Sequence, residues 1–191
     1  DACHAYLEVH QFPAGLMEEV KAHMVALEKK TKKGFGSDDH PLLVSVRSGS
    51  SMSMPGMMDT ILNLGLNDKS LKGLIKQTKD ERFVYDTYRR FIQLFGKIAL
   101  GTADDMFDTQ MHAIKQKYGA KDDIDLKAAE LKEVAEEFLK VVQRHTGKPF
   151  PQDPYEQLEV AVAAVFRSWM GKRAVDYRRE FKITKAMANG T

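Results

Sequence analysis

Cysteine occurs once in these 191 residues, as Cys3. No disulfide can therefore close within the chain, and no zinc site can be built on thiolates. A reducing interior, cytoplasmic or organellar (plastid or other), fits this usage better than secretion. Long apolar runs are also missing, none approaching the roughly 18 residues that span a bilayer as a helix. The opening Ala2-Cys3-His4-Ala5-Tyr6-Leu7 lacks the charged-then-apolar order of a secretory signal. It also lacks a starting methionine, so further natural sequence, with any organelle address, is expected upstream. An excess of one charge is absent: 29 Lys and Arg against 27 Asp and Glu, mixed along the chain, leave a formal charge of +2. That balance describes a solvated surface and argues against nucleic acid or a membrane as the principal partner. Neither a Gly-x-x-x-x-Gly-Lys-Ser/Thr nor a Gly-x-Gly-x-x-Gly after a strand occurs, which excludes the P-loop and the dinucleotide fingerprint. The histidines His4, His10, His23, His40, His112 and His145 are scattered without a metal-binding spacing, and no metal site is assigned.

What is present is enough apolar residue, 43% of the chain, to bury the core of one substantial domain. Phe12-Pro13-Ala14-Gly15 is a break. From there Leu16, Val20, Met24 and Leu27 predict a helix with one face turned inward, ended by positive charge and glycine over residues 29–34. Residues 42–46 are short, apolar and valine-rich after Pro41 and predict a buried strand; a second strand is expected at 60–64. Beyond Asn67 the pattern becomes helical. Asn67 or Asp68 caps a helix through Ile75, and Asp80 caps a longer one carrying Phe83, Tyr88, Phe91, Leu94, Phe95 and Ile98 and ended by Gly101. Further helices are expected over 103–118, 127–145 and 154–181, the last entered through Asp153-Pro154. Residues 147–154, rich in proline, read as an extended connector. The class is α+β, predominantly helical, with a helical bundle mounted on a small β-sheet. Its parts are 1–66, bearing the strand and loop; 67–152, a helical insertion subdomain; and 153–191, the return helix to the main body.

The chemistry concentrates after the 42–46 strand. Arg47 is planar, permanently charged and forked, which suits a phosphate, and the rim of an open sheet is where ligands commonly bind. An ordinary ion-pairing surface arginine accounts for the same position, and the residues alone leave both readings open. Ser48, Gly49, Ser50 and Ser51 present backbone N–H groups and hydroxyls for phosphate oxygens, and Pro55-Gly56 permits a tight turn. A loop without a ligand is the plain alternative. Met52, Met54, Met57 and Met58 raise a thioether copper site, but no cysteine or histidine lies nearby and Pro55 breaks the spacing. They are read as a mobile apolar lid, and Asp59 as a loop-end carboxylate that caps neighbouring N–H groups, with a cation held through water as the alternative. Glu133, Glu136 and Glu137 read as solvated charge pairs. Two basic sets, Arg82, Arg89 and Arg90, then Arg167, Lys172, Arg173, Arg178 and Arg179, read as outer helix faces, with docking of an acidic partner as the alternative.

The run 44–68, with Val46-Arg47-Ser48-Gly49, Ser53-Met54-Pro55-Gly56-Met57-Met58-Asp59-Thr60 and Asn63-Leu64-Gly65-Leu66-Asn67, resembles the corresponding segment of pyruvate, phosphate dikinases. Three further segments resemble the same family in the same order: Glu81-Arg82-Phe83-Val84-Tyr85-Asp86-Thr87-Tyr88-Arg89-Arg90-Phe91-Ile92, Thr146-Gly147-Lys148-Pro149-Phe150-Pro151-Gln152-Asp153-Pro154 and Ala164-Val165-Phe166-Arg167-Ser168-Trp169. The likeness covers essentially the whole chain. It implies an ATP-grasp-type domain that binds MgATP and passes the β- and γ-phosphates, as pyrophosphate, to a histidine on a separate swivelling domain. Phosphate and pyruvate then react elsewhere, giving pyrophosphate, AMP and phosphoenolpyruvate. By this resemblance Arg47 contacts the ATP phosphates, and Ser48, Gly49, Met54, Gly56, Met57 and Met58 belong to the loop folding over them. Ser50 and Ser51 stand where the family often has other residues and receive no role.

Other family parts have no counterpart in this sequence: the glycine-rich segment with an ATP-binding lysine, the later ATP-grasp half with its metal-binding acids, the carrier histidine and the pyruvate-binding barrel. The resemblance thus implies a partial ATP-binding domain with no catalytic or metal-binding residue of its own. ATP with Mg2+ serves the parent phosphotransferase, and no cofactor is required for this part to fold. Its expected partners are ATP and the phosphohistidine carrier domain of the same parent chain, and the expected parent assembly is a homodimer. A phosphoenolpyruvate synthase-like dikinase shares the arginine-bearing strand, and a non-catalytic nucleotide- or partner-binding module is the alternative outside enzymes. The Met-Pro-Gly-Met-Met loop and the helical insertion favour the first branch.

Overall fold

The computed structural model describes residues 2–49 and 54–184. Within them run α1 (Ala2–Val9), α2 (Leu16–Thr31), β1 (Gly34–Phe35), β2 (Pro41–Leu42), β3 (Val44–Arg47), β4 (Thr60–Leu64), α3 (Asp68–Thr78), α4 (Glu81–Leu100), α5 (Asp104–Tyr118), α6 (Ala128–Thr146), α7 (Pro154–Ser168) and α8 (Lys172–Glu180). The class is the expected one, α+β and mostly helical. Helix ends follow local chemistry: the Asn67 carboxamide accepts from the N–H groups of Lys69 and Ser70, Asp80 from Phe83, and Asp153 from Tyr155 and Glu156 ahead of α7. Gly101 closes α4 in the left-handed region, as its position predicts.

Three expectations are corrected. The strand expected over 42–46 serves two ladders: β2 pairs in parallel with β1, and β3 pairs antiparallel with β4, giving two two-stranded sheets among the described residues. Nor is β3 buried on both faces, since Val44 and Val46 are half-buried while Ser45 and Arg47 are exposed. The α2 stripe is only partly covered. Met24 alone of its residues is buried, and Leu16, Val20 and Leu27 line an open groove of about 470 Å³ with Val44 and Leu158. The helix expected over 154–181 breaks after Ser168, where the N–H groups of Trp169, Met170 and Gly171 reach back only three residues, to Phe166, Arg167 and Ser168. The break turns Trp169 into the core, with the Arg178 guanidinium 3.9 Å above its ring.

Strand β4 carries a bulge that settles which side chains face inward. Val44 pairs with Leu64 but Val46 with Ile61, so β4 has one extra residue between its partners. Asn63 absorbs it at φ 62, a left-handed conformation that asparagine tolerates. Ile61 and Leu64, three positions apart, thereby both reach full burial, which strict alternation forbids. The main core continues from them through Phe91, Phe95, Phe138 and Phe150 of the helical region to Leu158, Ala161 and Ala164 of α7. The Phe91, Phe95 and Phe150 rings meet at centroid distances of 5.3–5.7 Å.

At the junction of these parts sits Gln157, with no exposed surface. Its Oε1 accepts from the Gly65 N–H at 3.0 Å, and its Nε2 donates to the carbonyls of Leu66 at 2.9 Å and Pro151 at 2.8 Å. Gly65 is needed there: its φ is +101°, and a Cβ would lie 2.8 Å from the Leu42 carbonyl oxygen and 2.9 Å from the Phe35 ring. Nearby, Asn67 Nδ2 donates to the Gln152 carbonyl at 2.9 Å, so the same short run is tied both to α7 and to the connector before it.

The first basic set lies inside the bundle's own framework. Arg89 is nearly buried and binds Asp86 and Asp123, the latter at 2.8 Å; Arg82 donates to the carbonyls of Leu126, Asp123 and Ile124. This corrects the outer-face reading for these two residues, whereas Arg90 is exposed and pairs with Asp86. Burial pushes the Asp123 carboxyl up, but the Lys115 hydrogen bond and the Arg89 charge outweigh it and hold the group below its ordinary range.

Two outcomes are expected. Gln157→Leu keeps the volume but strands one buried N–H and two buried carbonyls, and should lower stability by about 3 kcal/mol in urea unfolding. Asp123 has a folded pKa below its unfolded value of about 3.9, so its contribution is present above that pH and is lost as pH falls through the lower folded value. Urea midpoints at about pH 5 and about pH 3 should therefore converge in Asp123→Asn relative to the parent chain.

Candidate functional site

The hairpin β3–β4 presents the expected phosphate ligand at its loop end. Arg47, the last residue of β3, stands opposite Thr60, the first of β4. Its side chain is exposed, and among the described residues no carboxylate pairs with it. By contrast, the arginines of both basic sets have internal partners. Ser48, half-buried, and Gly49, exposed, continue from Arg47. Ser50, Ser51, Met52 and Ser53 lie outside the described residues.

The second half of the loop is a turn fastened to the body. The Met57 N–H donates to the Met54 carbonyl at 3.1 Å, and Gly56 takes a φ of +71°. Met54 and Met58 are buried beside Cys3, Tyr6, Val165, Phe166, Trp169 and Ala174, and Met57 packs against the same cluster from a half-buried position. The structure thus seats Met54 and Met58 as core residues, and an apolar lid made from them has to leave that core. The reason is local: α1 and the α7–α8 break create an apolar hollow beside the hairpin, and flexible thioether side chains fill irregular space well. Burial in this cluster pushes the Cys3 thiol up to about 11, so it stays protonated.

Asp59 differs from the N–H-capping role read from its position. Its carboxylate accepts from Arg173 Nη2 at 2.8 Å, and its own N–H donates to Ser168 Oγ at 3.0 Å. Arg173 Nη1 also donates to the Gly56 carbonyl at 3.2 Å. Sequence reading misses Ser168 and places Arg173 only in a basic face. One signal was available: Lys172 and Arg173 open α8, at the end of a helix where cations are disfavoured unless something else binds them. The rest of that set is engaged too. Lys172 pairs with Asp176, Arg178 stacks on Trp169 and donates to its carbonyl, and Arg167 reaches the Ala99 carbonyl.

This arrangement offers an anion one exposed guanidinium at a strand end, flanked by serine and glycine. The family model described as pyruvate phosphate dikinase, AMP/ATP-binding domain, matches residues 3–189. The chain belongs to this family. A pyruvate, phosphate dikinase of Entamoeba histolytica is 60% identical over 182 residues, covering 95% of this chain and 21% of that protein. One from Giardia intestinalis is 52% identical over 185 residues, covering 97% and 21%. A chloroplastic pyruvate, phosphate dikinase of Mesembryanthemum crystallinum is 45% identical over 185 residues, covering 96% and 19%. The chain thus spans about a fifth of the length of these relatives. Among the described residues no helix is long and apolar enough to cross a membrane.

Packing of the loop methionines can be tested directly. Met58→Ala should cost about 2–4 kcal/mol of stability by chemical denaturation, and Met58→Leu less than about 1.5 kcal/mol.

Proposed function

We propose that this chain is part of the ATP-grasp-type nucleotide-binding domain of a pyruvate, phosphate dikinase and contributes one wall of the ATP cleft. The parts 1–66, 67–152 and 153–191 are its phosphate-binding portion, helical insertion and return segment. The observation that carries the reading is Arg47: a solvent-facing guanidinium at the loop end of a hairpin, with no carboxylate partner among the described residues, in a chain where most other arginines are engaged. A forked cation left to water is suited to a polyphosphate. Backbone groups of Ser48, Gly49 and Gly56 add neutral donors or close approach beside it, with Met54, Met57 and Met58 supporting the loop from beneath.

In the parent enzyme ATP, pyruvate and phosphate become AMP, phosphoenolpyruvate and pyrophosphate by way of a phosphohistidine on a separate carrier domain. The role of this chain is to bind and orient the ATP phosphates and to offset their charge, not to attack or transfer a proton. Phosphoryl transfer depends on several converging clamps, so this part alone is not expected to turn over. The described residues do not fit a Mg2+ site. Asp59, the carboxylate nearest the loop, is bound to Arg173, and the described His, Cys, Asp and Glu side chains form no group of three that could hold a metal ion. Mg2+ would be held by the ATP phosphates and by acids elsewhere in the parent. We take the parent to be a homodimer of the cytoplasm or an organelle interior.

The test is calorimetric titration of ATP. Binding to this chain alone should be weak or undetectable. In the full-length parent, Arg47→Ala should weaken ATP binding by about tenfold or more. Tight binding to the isolated chain that survives Arg47→Ala would overturn the site.

A further inference from the structure

The fastening of the loop end to α8 has no evident need in the fold. Arg173 is 66% exposed at its side chain, and ion pairs in such positions contribute little to stability. Yet its guanidinium spans two loop groups at once, the Asp59 carboxylate at 2.8 Å and the Gly56 carbonyl at 3.2 Å. A third bond, from the Asp59 N–H to Ser168 Oγ at 3.0 Å, holds the same residue from the end of α7, and Ser168 is itself fixed by donating to the Val165 carbonyl at 2.7 Å. Asp59 directly precedes Thr60, which stands opposite Arg47. The latch therefore acts one residue from the ladder pair that carries the exposed cation.

We propose that Arg173 is a positioning residue for ATP: by bridging Asp59 and Gly56 it holds the hairpin loop against α8, and so sets where Arg47 meets the phosphates. The inference rests on Arg47 being the phosphate ligand. Arg173 itself does not touch ATP; it acts through Asp59, as a small displacement of a charged clamp is enough to lose much of its effect.

The test uses the full-length parent polypeptide, with ATP affinity measured for Arg173→Ala, Asp59→Asn, the double variant and Arg47→Ala. Each latch variant should bind ATP about five-fold more weakly, and melting temperatures should move by less than about 2 °C. The double variant should be no more than about two-fold worse than either single one, since both remove the same contact. Hydrogen exchange at the Asp59 amide should quicken in both single variants. Unchanged affinity in Arg173→Ala, with Arg47→Ala strongly impaired, overturns the positioning role and leaves the site intact. Additive losses in the double variant also overturn it, because Arg173 then contacts phosphate directly. Unchanged affinity in Arg47→Ala sinks the site reading itself.

Discussion

The buried carboxamide of Gln157 is the interaction on which the rest of the arrangement depends. Two stretches some 90 residues apart in sequence meet at it: the exit of β4, and the connector that leads into the carboxamide's own helix, α7. The first contributes the Gly65 N–H and the Leu66 carbonyl, the second the Pro151 carbonyl, and these groups, shut away from water, have to be paired. A primary amide is well suited, offering an acceptor and two donors in one rigid plane. Because α7 starts from this junction, its far end arrives at the hairpin loop with Ser168 in reach of Asp59. Position at the candidate site is thus inherited from a polar contact in the core.

Sequence signals that act over a few residues were readable. Asn67, Asp80, Gly101 and Asp153-Pro154 mark helix ends by chemistry completed within about one turn, and the helices begin or end there. The strand at Thr60–Leu64 stands at its expected residues. The resemblance carried by the 44–68 run identified the family. What could not be read depends on partners distant in sequence. Gln157 reaches back 92 residues to Gly65, and Arg89 looks like one more cation on a helix until Asp123, 34 positions on, arrives beside it. Met54 and Met58 lie in a stretch whose glycine, serine and proline suggest a loose loop. The hollow they fill is built by α1 and by the break after Ser168, neither of which has a strong local signature.

The use of arginine separates framework from surface. Arg82 and Arg89 satisfy carbonyls and carboxylates within the helical bundle, and Arg167, Arg173 and Arg178 tie α7 and α8 to their surroundings. A near-neutral composition conceals this division, since a count of charges does not distinguish a guanidinium locked among carbonyls from one left to water. Arg47 belongs to the second kind. Its exposure is informative because so many of its counterparts are engaged.

The extra residue at Asn63 gives the hairpin an odd parity. Removing one residue from β4 would rotate Leu64 out of the core and carry Gly65 away from the carboxamide that holds it. One deletion in this strand would therefore remove an apolar contact and a buried hydrogen bond at once.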